Sequence, residues 1–310
     1  MRYFSVAVTI KTKWFESLKE WFLWNKFIGV EHFYIVDDNS AKPLSKFFKN
    51  FLNQITFIND VDIKKETHQS KIFKKIYNDY KSETHWMAFI DDDEYIMSLQ
   101  NVEFLDFLRT IEDKKCLELT SRVFGPHGYM THEGEKQHRN SFILDRYWAY
   151  ESKRLVKSIV NCTKVEHLDS GGSVHRLVAE GAVDCFGDNI DGFTEETEAN
   201  NGLWQDKIVN NSGLIHNPKF VINHYTLKSW AEIEYKLKER GFAEGEKLLQ
   251  SKGEDGLSYR YLKLCRQVFN MTREVNPRHK SDFYFDKYLP KTKDKFKKYF
   301  NENIDKFEEL

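Results

Sequence analysis

The chain has 310 residues, with 47 Lys and Arg set against 48 Asp and Glu. That near-neutral balance excludes a whole-chain electrostatic attraction to nucleic acid or to an acidic membrane. With 40% hydrophobic residues it can bury a sizeable core, and one α/β domain with a helical extension is the first expectation. The opening stretch from Met1 to Ile10 lacks a cationic start and a small-residue cleavage pattern, and no apolar run approaches the roughly 20 residues that cross a bilayer. The expectation is a soluble, cytoplasmic protein, at most peripheral at the inner face of a membrane. Cys116, Cys162, Cys185 and Cys265 are spaced too widely for a zinc knuckle and are too sparse for a disulfide framework, which predicts free, mostly buried thiols.

Phe4 to Ile10 (FSVAVTI) is a short apolar, β-branched run that suits a buried strand. Trp14 to Ile28 then places Trp14, Phe15, Leu18, Trp21, Phe22 and Phe27 near helical spacing, with Gly29 as a C-terminal stop, so a helix with one apolar face is predicted. His32 to Val36 reads as a second strand running into the turn-forming Asp37-Asp38-Asn39-Ser40. The pattern repeats with a strand at Ile55 to Ile58, an amphipathic helix over Thr67 to Tyr80 and a strand at Trp86 to Ile90. Such alternation predicts an open, mostly parallel sheet, with ligands beyond the carboxyl ends of its strands. A helix near Val102 to Glu112 follows, then short strands at Cys116 to Val123 and Ser158 to Val160. From Ser229 onward the sequence looks helical and heavily charged. The organisation predicted is a domain over residues 1–228, with a nucleotide-binding half to about 100 and an acceptor half over 101–228, then a helical extension over 229–310.

Two acidic groups sit at predicted strand ends. Asp91-Asp92-Asp93-Glu94 follows the apolar run Trp86 to Ile90, and strand alternation would point Asp91 and Asp93 the same way with Asp92 facing the other. Four adjacent carboxylates raise one another's pKa unless a cation or hydrogen bonds compensate. Oxygen ligands suit Mg²⁺ or Mn²⁺ bridging to phosphate, so Asp91 and Asp93 are metal candidates. At the second strand end, Asp37 or Asp38 is placed to accept hydrogen bonds from a base or ribose hydroxyl, the alternative being a simple side-chain-closed turn.

The segment VAVTIKTKWFESLKEWFLWNKFIGVEHFYIVDDNS resembles the opening of glycosyltransferase family 92 and related family 2-like enzymes, whose pattern includes "GV.HFYIYDN.S" and a later "W..FID.DEF". Trp86 to Ile96 (WMAFIDDDEYI) matches the second motif. The likeness resumes at Lys157 to Val160, at Val174-His175 and at Asn223-His224-Tyr225, where the family shows "NHY..KS…K..RG". It implies a GT-A (Rossmann-like) fold, a nucleoside-diphosphate sugar donor, and Asp91 and Asp93 engaging Mn²⁺ or Mg²⁺ on the diphosphate. Two departures are Lys11-Thr12-Lys13, where relatives often carry an acidic residue, and Tyr95 in place of Phe. The resemblance also implies that His224 completes the metal shell, that Lys11 and Lys228 lie at the donor, with Lys228 offsetting diphosphate charge, and that His175 is an acceptor-side candidate. His224 and Lys228 would then fold back onto the acidic cluster from more than 100 residues away.

The reaction so implied is metal-dependent transfer of a hexose, with galactose the candidate, from a UDP-linked donor to a glycan or glycolipid, with inversion. The base it needs has four candidates, Asp145, Asp169, Asp184 and Asp188, and nothing in the residues selects one of them. A metal-dependent nucleotidyltransferase or phosphotransferase is the rival enzyme, but residues 9–16 (TIKTKWFE) contain no glycine for a phosphate loop. A non-enzymatic glycan-binding protein using exposed aromatics is the rival outside catalysis.

Overall fold

The computed structural model describes residues 1–59, 69–124, 148–169, 175–178, 180–189, 219–225, 235 and 282–308. Its elements in chain order are β1 (Arg2–Ile10), α1 (Phe15–Phe27), β2 (His32–Asp37), α2 (Leu44–Phe47), β3 (Ile55–Phe57), α3 (Gln69–Tyr80), β4 (Thr84–Phe89), β5 (Glu94–Ser98), α4 (Phe104–Thr110), β6 (Cys116–Phe124), β7 (Trp148–Asn161), β8 (Ala182–Val183), β9 (Phe220–His224) and α5 (Asp282–Asn303). Among the described residues nine strands form one sheet in the order β3-β2-β1-β4-β7-β6-β9-β5, with β8 beside β6. Five of the eight pairings are parallel and three antiparallel. This is the α/β sheet flanked by helices that the alternating sequence pattern implies, compatible with a GT-A fold.

Period-two alternation divides the core between two faces. Phe4, Val6, Val8, Phe33, Ile35, Trp86 and Ala88 join one buried cluster, with α1 and α4. Their neighbours Ala7, Tyr34, Val36, Met87 and Phe89 join the other, against Ile72, Phe73, Ile76 and Tyr77 of α3. Both sides of the central strands are therefore dry, which is why these strands read as continuous apolar runs.

The sheet cannot be flat. Only residues 90–93 separate β4 from β5 in the chain, yet β7, β6 and β9 lie between those two strands. Four strand spacings amount to about 19 Å, and five Cα steps reach that only when fully drawn out. The linker is instead a turn, with the Glu94 N–H donating to the Asp91 carbonyl at 3.1 Å. The sheet therefore curls until β5 returns over α1. The Trp21 indole N–H donates to the Glu94 carbonyl, and that of Trp24 to the Ile96 carbonyl, each at 3.0 Å. Two tryptophans three apart on α1 thus occupy carbonyls two apart on an edge strand, which would otherwise offer unpaired groups.

Two expectations need correction. The strand predicted at Ser158 to Val160 is the end of a 14-residue strand, hidden in sequence by the charges of Glu151, Lys153 and Arg154. The helix expected to have one apolar face is buried on every side from Ser17 to Asn25, because β5 covers one side and α5 another. Phe296 of α5 packs edge-on against Trp24 and Phe27 at 5.0 and 5.5 Å between ring centroids. Beyond α5, Phe307 meets Phe22, Phe47, Phe48 and Phe51, so the described part of the C-terminal extension belongs to the main core. The predicted boundary at residues 228 and 229, like the start of the helix at Thr67, lies outside the described residues. No helix among the described residues is long and apolar enough to cross a membrane. Cys116, Cys162 and Cys185 are buried.

Candidate active site

The carboxyl ends of the parallel strands gather the predicted residues on one edge. Register pairs Ile10 with Asp37 and Ala7 with Phe89, so Lys11, Asp37, Asp38 and the acidic turn emerge together. Asp37 is committed to the backbone: its carboxylate accepts the N–H of Ser40 at 2.9 Å and of Leu44 at 3.2 Å. It closes the turn that holds Asn39 at φ 55°. Among the described residues the Asp38 carboxylate meets no backbone N–H and receives the Asn39 amide at 3.4 Å. Lys11 is half-buried just past β1.

Asp91 to Glu94 is a turn, so strand alternation does not set its side chains; its partners do. One Asp91 oxygen accepts the Gln69 amide at 2.7 Å and the other the Lys157 ammonium at 2.8 Å. Lys157 also reaches Glu94 at 3.0 Å, and the same Glu94 oxygen accepts the Asp91 N–H at 3.0 Å. On the far side, His224 is the direct cross-strand partner of Glu94. Its Nε2 lies 3.2 Å from Asp93 Oδ1 and its Nδ1 3.5 Å from Glu94 Oε1. The Tyr225 N–H donates to the Asp93 carbonyl at 2.8 Å, extending the β5–β9 ladder into the turn. The expected return of His224 to the acidic cluster is thus present. Lys228 and Asp145 lie outside the described residues.

Charge and burial oppose each other throughout this cluster. Burial raises the Asp91 carboxyl, but the Lys157 ammonium outweighs it and holds the group below the usual carboxylate range. Burial pushes Glu94 up, aided by Asp91 and Asp93, against the pull of Lys157. For Lys157 burial disfavours the cation, yet Asp91 and Glu94 more than offset it, so it stays charged. His224 behaves likewise, with Asp93 and Glu94 raising it against burial. His175 differs: burial, then the charges of Lys157, lower it to about 4. It therefore stands beside the cluster as a neutral imidazole at pH 7. Ser158 fixes its backbone, donating to the His175 carbonyl and accepting the Leu177 N–H, both at 3.1 Å.

Among the described residues no three His, Cys, Asp or Glu side chains form a ready-made metal-holding group; the carboxylates are arranged in ion pairs. Of the candidate bases, Asp184 is buried and accepts the N–H groups of Phe186 at 2.8 Å and Asp188 at 3.1 Å, a turn-closing role. Asp169 and Asp188 are exposed.

The sequence profile of glycosyltransferase family 92 matches residues 4–179, more than half of the chain. The chain belongs to this family. The matched stretch of the family 92 glycosyltransferase holds β1 through β7, the acidic turn, Lys157 and His175, while β9 with His224 and α5 lie beyond it. No curated protein matches the chain. Among solved structures it is similar to HddC from Yersinia pseudotuberculosis, with a TM-score of 0.32 and 10% identity over 59% of this chain and 90% of that one. A likeness at that level carries no argument about function.

Sequence reasoning passed over two residues of the cluster, Lys157 and Gln69, and gave Glu94 no role of its own within the acidic run. For Lys157 a signal existed, a lysine inside the apolar stretch Val156 to Val160. A charge at an interior strand position must find a partner. Gln69 offered none, being one polar residue at the start of an amphipathic helix.

Proposed function

We propose that this glycosyltransferase moves a hexose from a UDP-linked donor to a glycan or glycolipid acceptor, with a divalent ion at the acidic turn and inversion at the transferred carbon. The observation that carries the reading is the meeting of Asp93 and Glu94 with His224 at the carboxyl edge of the parallel strands, where α/β folds bind ligands. The spacing of two side-chain atoms supports a Mn²⁺ or Mg²⁺ ion there. Two neighbouring ligands of an octahedral ion at roughly 2.1 Å stand about 3 Å apart, and Asp93 Oδ1 and His224 Nε2 are 3.2 Å apart. Asp93 and His224 would hold the ion, with Asp91 beside them. An imidazole in the set favours Mn²⁺ over the strictly oxygen-seeking Mg²⁺.

A divalent ion there supplies positive charge for the departing diphosphate. The chain's own residues do the rest. Asp38, its carboxylate not spent on backbone amides, is the better placed of the Asp37–Asp38 pair to meet the base or ribose, with Lys11 near the phosphates. His175, neutral at pH 7, can hydrogen-bond an acceptor hydroxyl without competing for the donor's negative charge. Lys228 follows four residues after His224 and is assigned to the diphosphate on family resemblance.

Calorimetry of UDP binding tests the proposal. Mn²⁺ should tighten binding at least tenfold, about 1.4 kcal/mol, and Asp93→Asn should remove most of that gain while Asp92→Asn removes less. Equal UDP affinity in EDTA and in Mn²⁺ would count against the metal. Asp38→Ala should weaken UDP binding in both conditions.

A further inference from the structure

Lys157 enters the acidic turn from inside the sheet, from β7, and its side chain has no exposed surface. Taking an ammonium out of water is costly unless strong partners replace the solvent. Both partners here are carboxylates of one turn, Asp91 at 2.8 Å and Glu94 at 3.0 Å, the first and fourth residues of the Asp91–Glu94 stretch. One ammonium therefore ties the start of the turn to its end. The Asp91 N–H to Glu94 bond and the Gln69 amide on the other Asp91 oxygen complete that side. Asp91 thus meets fixed donors through both oxygens. The opposite side differs: Asp93 Oδ1 and Glu94 Oε1 face His224, and the Glu94 Oε1 and His224 Nδ1 atoms are buried without a hydrogen bond of good geometry.

We infer that Lys157 is a positioning residue, a built-in cation that assembles the acidic turn without metal and leaves the Asp93–His224 side to receive a divalent ion. The second half of this inference rests on the metal-dependent reading above; the first half does not. A metal ion must otherwise arrive at four mutually repelling carboxylates and organise them itself. With Lys157 in place the turn is preorganised, and Asp91 acts through the lysine rather than as a ligand.

Thermal unfolding of the full chain in EDTA and in Mn²⁺, with Lys157→Met, Asp91→Asn and the double variant, tests both halves. In EDTA, Lys157→Met should lower Tm by about 5–10 °C, because it strands the buried Glu94 carboxylate and the part-buried Asp91 carboxylate without their cation. The double variant should recover at least half of that loss, since it removes one stranded charge together with its partner. The Tm rise on adding Mn²⁺ should be larger in Lys157→Met than in the wild type, as the released carboxylates draw the ion, a difference that lost packing alone would not produce. A Lys157→Met protein as stable as wild type in EDTA, or a double variant no better than the single, overturns the assembly role. If Lys157→Met yields no folded protein, Asp91→Asn carries the test. Its Mn²⁺ affinity should fall less than that of Asp93→Asn, which loses at least tenfold, because the lost Asp91 charge acts on the ion at a distance while the lost Asp93 oxygen is a ligand; an equal or larger loss in Asp91→Asn overturns the assignment of the metal to the other side. A wild-type protein indifferent to Mn²⁺ defeats the metal reading, and the EDTA measurements then decide the role of Lys157 alone.

Discussion

His224 lies between two carboxylates that both favour its protonated form, and this sets a pH dependence. Its folded pKa is raised above the ordinary 6.5, so its contribution to stability is complete below pH 6.5 and is lost as pH rises through the folded value. His32 and His175 act in the opposite sense. Burial lowers both to about 4, so the unfolded chain binds more protons and stability falls as pH drops from 6.5 toward 4. These three groups together should place the highest Tm of the metal-free protein near pH 6.5. A His224→Asn variant should flatten the alkaline limb and leave the acid limb in place; an unchanged alkaline limb would show that the Asp93 and Glu94 contacts carry no linkage. The residues of this site were unequally legible. Asp91 and Asp93 announce themselves because carboxylates after an apolar strand need a reason to be there. His224 was reached through the order of family motifs. Lys157 signals in sequence only that it needs a partner; which partner depends on β7 pairing with β4 and β6, a register that no local pattern displays.

Among the elements, β5 has the least conventional support. It pairs with β9 on one side, and α1 rather than another strand meets its outer carbonyls through Trp21 and Trp24. Trp21→Phe and Trp24→Phe keep most of the apolar volume but each leaves a buried carbonyl without its donor, a loss of about 1–3 kcal/mol. Denaturant unfolding should show both losses, and hydrogen exchange should quicken across β5 before β1 or β2. No change in β5 exchange would mean that the β9 ladder holds the strand alone. The elements that local pattern revealed best are β1, β2 and β4, whose apolar runs reflect burial on both faces. Gly29 also behaved as a stop signal, taking φ 102° just past the Ile28 cap of α1, where an added Cβ would meet Leu105 at 2.5 Å. By contrast β5 merges in sequence with β4 and the acidic turn, since nothing in WMAFIDDDEYI shows that the second half returns on the far side of three other strands.

For the molecule as a whole, the last described residues are part of the fold they follow. Phe307, buried with its ring among Phe22, Phe47, Phe48 and Phe51, closes the aromatic layer over α1. Phe307→Ala should cost about 3–5 kcal/mol, visible as a lower denaturant midpoint. Removing residues 282–310 should expose that layer and drive self-association in light scattering. A truncated chain that stays monomeric with unchanged stability would show that the extension is a separate body. The curled sheet has a consequence for how this protein can vary. β4, β7, β6, β9 and β5 form a hydrogen-bonded series whose two ends are joined covalently by four residues. Substitution within that clasp changes charge and leaves the join closed. A single inserted residue instead displaces Glu94 from His224, and a one-residue slip turns every β5 side chain to the wrong face. Tyr95 would leave the core and Glu94 the site in one step. Selection can therefore rewrite the chemistry of the turn residue by residue, while its length stays fixed by the geometry of the strands it joins.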